Sequence, residues 1–159
     1  MPLPKTHPED TYTWREEHVG RLLLELLKDF QFRSLTQLRD LGYKEVTLAD
    51  INVIAAIDIG GTRLTDIAKS LDISKQAAGQ MVKALAARGY VSREADPNDG
   101  RATLVTFTER GKRLLGDARA GIEEIETLYA ALLGERFEGL KDDLAELLGR
   151  ARETHQAPP

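Results

Sequence analysis

Apolar residues recur at helical spacing along most of the chain. Leu22, Leu23, Leu26, Leu27 and Phe30 form a broad stripe, which predicts a first helix from Trp14 to near Phe32. Thr13-Trp14-Arg15-Glu16 in front of it has the form of a capping box. A short helix is expected over Leu35–Leu41 and a longer one over Leu48–Ile59, followed by two short helices at Asp66–Leu71 and Lys75–Arg88. Thr47, Thr65, Ser74 and Thr108 stand where N-caps are needed. Gly42, Gly60-Gly61, Gly89 and Gly134 stand where helices should end. After Gly89 the pattern changes. Tyr90–Glu94 and Ala102–Phe107 alternate or are β-branched, and the turn formers Asp96-Pro97-Asn98-Asp99-Gly100 lie between them, so a β-hairpin is expected. Two long helices follow, from Glu109 to Leu133 and from Glu135 to Arg152. The second carries a stripe of Phe137, Leu140, Leu144, Leu147, Leu148 and Ala151.

Composition narrows the function classes. The 159 residues are 42% hydrophobic and 30% charged, enough for a folded core. The chain has no Cys, which excludes disulfide scaffolds, thiolate metal sites, thiol catalysis and thiol redox sensing. The longest apolar run, Ile51–Ile57, is interrupted by Asn52, so no membrane span is expected. The segment MPLPKTHPED lacks the apolar core of a signal peptide, and a cytoplasmic protein is expected. Net charge is −4, yet residues 62–113 hold ten Lys and Arg against six acids, a surplus of four. The remainder holds 12 basic and 20 acidic residues. A basic module inside an acidic chain fits a phosphate-facing surface, because local field governs docking.

Leu64–Leu85 carries the main functional signal. Leu64, Ile67, Ala68 and Leu71 mark the buried face of one helix, and Ala78, Met81, Val82 and Leu85 that of the next. Only Asp72 and Ile73 separate Leu71 from the cap Ser74, so the helices must cross steeply, as in a helix-turn-helix. Lys75, Gln76, Ala77, Gly79, Gln80 and Lys83 are left outward, with no acid among them, and such a face can enter a major groove. The hairpin that follows makes the module a winged helix, with Arg101 on the turn.

Several stretches resemble the MarR (multiple antibiotic resistance regulator) family. They are Arg63-Leu64-Thr65, Leu85 through Arg88-Gly89-Tyr90-Val91-Ser92-Arg93, Asp96-Pro97-Asn98-Asp99-Gly100-Arg101, Leu104-Val105, and Thr108-Glu109-Arg110-Gly111. The match is good over about Leu48–Leu115; the outer helices match in length and placement only. The resemblance implies a mainly α winged helix-turn-helix with a small β-hairpin wing. It further implies a homodimer joined through N- and C-terminal helices, and a wing Arg that enters the minor groove. Two departures stand out: Gly100 where the family often has a second basic residue, and Phe107 where Leu is usual.

The expected layout is a disordered tail over 1–11, dimerisation helices over 12–46, the DNA-binding domain over 47–110, dimerisation helices over 111–153 and a disordered tail over 154–159. Lys75, Gln76, Ala77 and Gln80 are expected to read base edges, and Ser74, Lys83 and Arg93 to touch phosphate. Arg101 is the wing finger, with Asp99 orienting it through an ion pair. By position, Trp14, His18, Tyr43 and Tyr129 are candidates for a pocket taking a small aromatic ligand; the competing reading makes each core or surface filler. No catalytic constellation is found: the histidines are His7, His18 and His155, and Gly60-Gly61 lacks the Lys of a phosphate loop. No cofactor and no metal are expected. The expected function is a sequence-specific transcriptional regulator, a repressor relieved by a small molecule, with a palindromic double-stranded operator and a second copy of the chain as partners. The alternative is a winged-helix dimer that binds protein without specific DNA recognition.

Overall fold

The structure, a computed structural model, describes residues 18–97 and 99–156, with side chains through Thr154. The capping box at Thr13–Glu16, the candidate Trp14, Asn98 and the N-terminal tail lie outside the described residues. The elements run α1 (Val19–Asp40), α2 (Leu48–Ala55), β1 (Thr62–Arg63), α3 (Leu64–Ser70), α4 (Lys75–Ala87), β2 (Val91–Asp96), β3 (Asp99–Phe107), α5 (Glu109–Leu133) and α6 (Arg136–Gln156). The chain divides into two compact units with the boundary inside α5, after Arg119.

The first unit is built on the helix-turn-helix. Ile67 and Ala68 of α3 meet Ala78, Val82 and Leu85 of α4 in one core with Val53, Tyr90, Val105 and Leu114. The small residues at 68 and 78 are fully or nearly fully buried and let α3 and α4 approach closely. The joint is a tight C-cap: the Asp72 amide bonds the Lys69 carbonyl and the Ile73 amide bonds the Ala68 carbonyl. Asp72 itself takes φ +52, the left-handed conformation usually left to Gly. Ser74 then accepts from the Ala77 amide and starts α4.

The wing is a three-stranded antiparallel sheet in the order β1-β3-β2. Residues Val91 to Ala95 pair regularly with Phe107 to Thr103; the register then slips, so that Asp96 faces Asp99. Gly100, Arg101 and Ala102 fall in this irregular stretch.

At the far end of β3 the Thr108–Gly111 motif locks α5 to the sheet. The Thr108 hydroxyl donates to the Gly89 carbonyl and accepts from the Gly111 amide, while the Thr108 amide donates to the Tyr90 carbonyl at 3.1 Å. A Cβ on Gly111 would lie 2.0 Å from the Tyr90 carbonyl oxygen, so this position has room for hydrogen only.

The second unit holds the distal part of α5 and α6, turned at Gly134 (φ +60). Lys141 ties the two helices by bonding Glu126 at 3.1 Å and lying over the Phe137 ring.

Five expectations need correction. The first two helices are one, because no Gly or Pro interrupts Phe32–Leu35; Arg33 pairs with Asp29, and the Ser34 and Thr36 hydroxyls bond carbonyls one turn back instead of capping. The helix from Leu48 stops at Ala55, since the Ala56 and Ile57 amides fold back onto Val53 and Ile54 and the Asp58 amide goes to the Thr62 hydroxyl. Thr65 is not an N-cap: pairing of Arg63 with Leu104 in the sheet holds Arg63 extended, and α3 starts at Leu64. The last helix continues past Arg152 to Gln156, into the segment expected to be disordered. Finally, Arg101 is not on the turn; it lies in β3, just beyond it.

Candidate nucleic-acid interface

The α4 helix separates its two faces as the apolar spacing requires. Ala78, Val82 and Leu85 are buried, whereas Ser74, Lys75, Gln76, Ala77, Gln80 and Lys83 are exposed. Gly79 departs from the outward set: it sits half-buried, with Leu64 3.8 Å from where a Cβ would be. Gln76 and Gln80 lie one turn apart and both project from the exposed face. The free amides and positive dipole at the start of α4 sit beside Lys75.

Ion pairing decides which cations remain for a phosphate backbone. Arg63 bonds Asp96 at 2.6 Å, Arg110 bonds Glu45 at 2.8 Å, and Lys112 bonds Glu109 at 2.7 Å. Arg88, at the C-cap of α4, grips both oxygens of Asp50 and also donates to the Glu45 carbonyl. By contrast, Lys75, Lys83, Arg93 and Arg101 are exposed and have no ion pair among the described residues. Lys69 on α3 and Arg113 on α5 are likewise exposed and outside the ion pairs of the described residues, so α4 and the wing hold four of the six unpaired cations in residues 62–113.

The wing differs from expectation in detail. Asp99 does not grip the Arg101 guanidinium; its carboxylate accepts the Arg101 backbone amide at 3.1 Å. Asp99 thus shapes the strand and leaves the guanidinium free to turn outward. Gly100 is not in the left-handed region, and nothing lies within 4 Å of a Cβ built there. Gly100 is a free position, not a conformational requirement.

A second cluster fixes α4 from behind, and sequence reasoning missed it. Glu45 accepts from the Tyr90 hydroxyl at 2.6 Å and from Arg110 at 2.8 Å, and Arg110 stacks over the Tyr90 ring. The Tyr90 hydrogen bond holds the Glu45 carboxyl below its usual range, with Arg110 and Arg88 adding to it. At Asp50, burial opposes ionisation, yet hydrogen bonds from Arg88 and Thr47 outweigh it and the carboxyl is held low. The acids Glu45 and Asp50 lie 38 to 65 residues from Arg88, Tyr90 and Arg110, so no local pattern signals these pairs.

The candidate pocket residues have local duties. His18 is the N-cap of α1, its Nδ1 accepting the Arg21 amide at 3.1 Å. Tyr43 donates to Asp117, and that hydrogen bond, followed by burial, pushes its hydroxyl up to about 12. Tyr129 lies in the second unit. Neither of two open surface cavities, one at the root of the wing and one along it, is lined by any of them.

Comparison with known proteins agrees with this geometry. Residues 45–102 match the MarR family model. An uncharacterised HTH-type transcriptional regulator of Bacillus subtilis, YxaD, is 32% identical over 94 residues, which are 58% of this chain and 63% of that protein. The match thus spans less than two thirds of that relative. The transcriptional regulator Tm0710 from Thermotoga maritima is 26% identical, with a TM-score of 0.62 over 87% of this chain and 97% of its own. The transcriptional repressor CouR, solved bound to a 23-mer DNA duplex, is 24% identical, with a TM-score of 0.68 over 86% of this chain and 94% of its own. Among the described residues no helix is long and apolar enough to cross a membrane. Residues 45–102 thus match the MarR family model, and the fold over more than four-fifths of the chain is similar to that of solved transcriptional regulators with a winged helix-turn-helix.

Proposed function

We propose that the chain is a sequence-specific, DNA-binding transcriptional regulator that acts as a homodimer and not as an enzyme. One observation carries this reading. The arginines at 63, 88 and 110 are consumed by internal ion pairs, while the cations on the outward face of α4 and on the wing are not. Lys75, Gln76, Ala77 and Gln80 are assigned to base edges, Ser74, Lys83 and Arg93 to phosphate, and Arg101 to the flanking minor groove. CouR, of the same fold, is a repressor solved on a DNA duplex, which favours repression as the mode of action.

Dimerisation is supported by apolar surface at both ends of the chain. Val19, Leu22, Leu24 and Leu27 on α1, and Leu147 and Leu148 on α6, are all exposed in the single chain. A two-fold dimer covers such surface and supplies two reading heads, so half-sites should lie about one helical turn apart. Relief by a small aromatic acid belongs to the same proposal and is checked by adding benzoate to the DNA complex.

The test is binding to a labelled duplex from the DNA upstream of its own gene, compared with random DNA across a salt series. The four unpaired cations on α4 and the wing of each protomer imply a slope of log affinity on log salt of about −7 for the dimer. Equal affinity for both duplexes at every salt concentration refutes specific regulation. A monomer in sedimentation at micromolar concentration refutes the dimer.

A further inference from the structure

The wing must be held at a fixed angle to α4 if its arginine is to reach the groove beside the one α4 reads. Apolar packing does not supply this near the tip. Pro97, Asp99, Gly100 and Arg101 are exposed, and an open cavity of about 530 Å³ lies at the wing root between Gly61, Thr62, Asp66, Pro97 and Leu104. A polar tie borders that gap, since Arg63 and Asp96 are among the residues lining it. Asp96, the last residue of β2, is among the two buried acids of the described chain, at 5% exposure. Its Oδ2 accepts from Arg63 Nε at 2.6 Å.

Arg63 belongs to β1, paired with Leu104 of β3, and it is also the residue from which α3 springs. Leu104 in turn pairs with Glu94 of β2, two residues before Asp96. The Arg63 side chain therefore spans the full width of the sheet, from the helix-turn-helix side to the strand that turns into the wing tip. Breaking such a pair takes an ionic partner from a buried carboxylate, which is costly, so the pair favours the wing setting in which it forms.

We propose that the Arg63–Asp96 ion pair is a strut that sets the angle of the wing to the reading helix, making both residues positioning residues for Arg101. This rests on the reading that Arg101 contacts DNA. The strut differs from a phosphate contact in a measurable sign. If Arg63 merely added positive charge at the DNA, removing the Asp96 charge would tighten binding. If the pair is a strut, removing it loosens binding although a negative charge has gone.

The experiment measures Asp96→Asn, Arg101→Ala and their double variant by fluorescence anisotropy on the same upstream duplex at one salt concentration, with melting temperatures alongside. Arg101→Ala should weaken binding about tenfold. Asp96→Asn should weaken it about threefold to tenfold and lose preference for A·T flanks, with half-site preference intact. The double variant should bind no worse than Arg101→Ala alone. Binding by Asp96→Asn as tight as wild type or tighter overturns the strut, as does a double variant whose losses multiply. If Arg101→Ala binds like wild type, the wing reading itself has failed and the strut falls with it. Should Asp96→Asn not fold, Arg63→Gln alone and combined with Arg101→Ala gives the same non-additivity test.

Discussion

Replacing Gly111 by Ala sets two physical effects against each other. Gly111 is in the first turn of α5, where helix propensity alone favours Ala by about 1 kcal/mol. The structure opposes it. The new Cβ would lie 2.0 Å from the Tyr90 carbonyl oxygen, 3.0 Å from its carbon and 3.1 Å from the Phe107 ring. An ordinary carbon–oxygen approach is about 3.3 Å, so the two backbones would have to separate by roughly 1 Å. That movement strains the Thr108 amide bond to Tyr90 and the Thr108 hydroxyl bond to Gly89. Overpacking costs about 1–3 kcal/mol and each weakened hydrogen bond about 0.5–1.5 kcal/mol. With two such bonds and after the propensity gain, the net loss is about 1–5 kcal/mol, or a fall in melting temperature of about 2–20 °C. Thermal unfolding followed by circular dichroism, with urea unfolding at 25 °C, measures both. A melting temperature equal to or above that of wild type would show that α5 does not close on the Tyr90 carbonyl. The reasoning about the Thr-x-x-Gly motif would then be wrong.

Three further outcomes follow from the site. Gln80→Ala should lose about 1–3 kcal/mol of discrimination at one base position per half-site while affinity for random DNA stays the same; selection from a randomised operator library reads this, and an unchanged profile moves base reading elsewhere on α4. Gly100→Arg should tighten binding and steepen its salt dependence with the melting temperature held, because the position has open space and ordinary backbone; weaker binding would mean that the wing approaches DNA too closely there for a side chain. Asp50 has its carboxyl held below the ordinary value of 3.8, so its contribution to stability is full above that value and is lost as pH falls through the lower folded one; urea unfolding should show Asp50→Asn less stable than wild type at pH 6, with the gap narrowing toward pH 2.5, and a gap independent of pH would exclude the Arg88 ion pair as its source.

Much of this protein is written in local sequence. Thr47 and Ser74 cap their helices where they stand, and Gly42, Gly89 and Gly134 take positive φ at helix ends, because capping and left-handed turns involve atoms within four residues of each other. The two faces of α4 follow from the 3.6-residue period, and so do the groups it leaves exposed, Gly79 apart. The helix-turn-helix and the hairpin were legible for the same reason. The tertiary structure decided what depends on distant partners. β1 is two residues long, too short for any alternation to register, and exists only because β3 lies beside it. Asp99 and Arg101 look like an ion pair in sequence, but the turn gives the carboxylate a backbone amide to bind instead. The basic residues of residues 62–113 are equal in sequence. Folding sorts them, bringing Asp96 to Arg63, Asp50 to Arg88 and Glu45 to Arg110 across 33 to 65 residues of chain. The remaining cations face outward because the long-range ion pairs and the buried core take up the inward positions, and no pattern along the chain encodes that division.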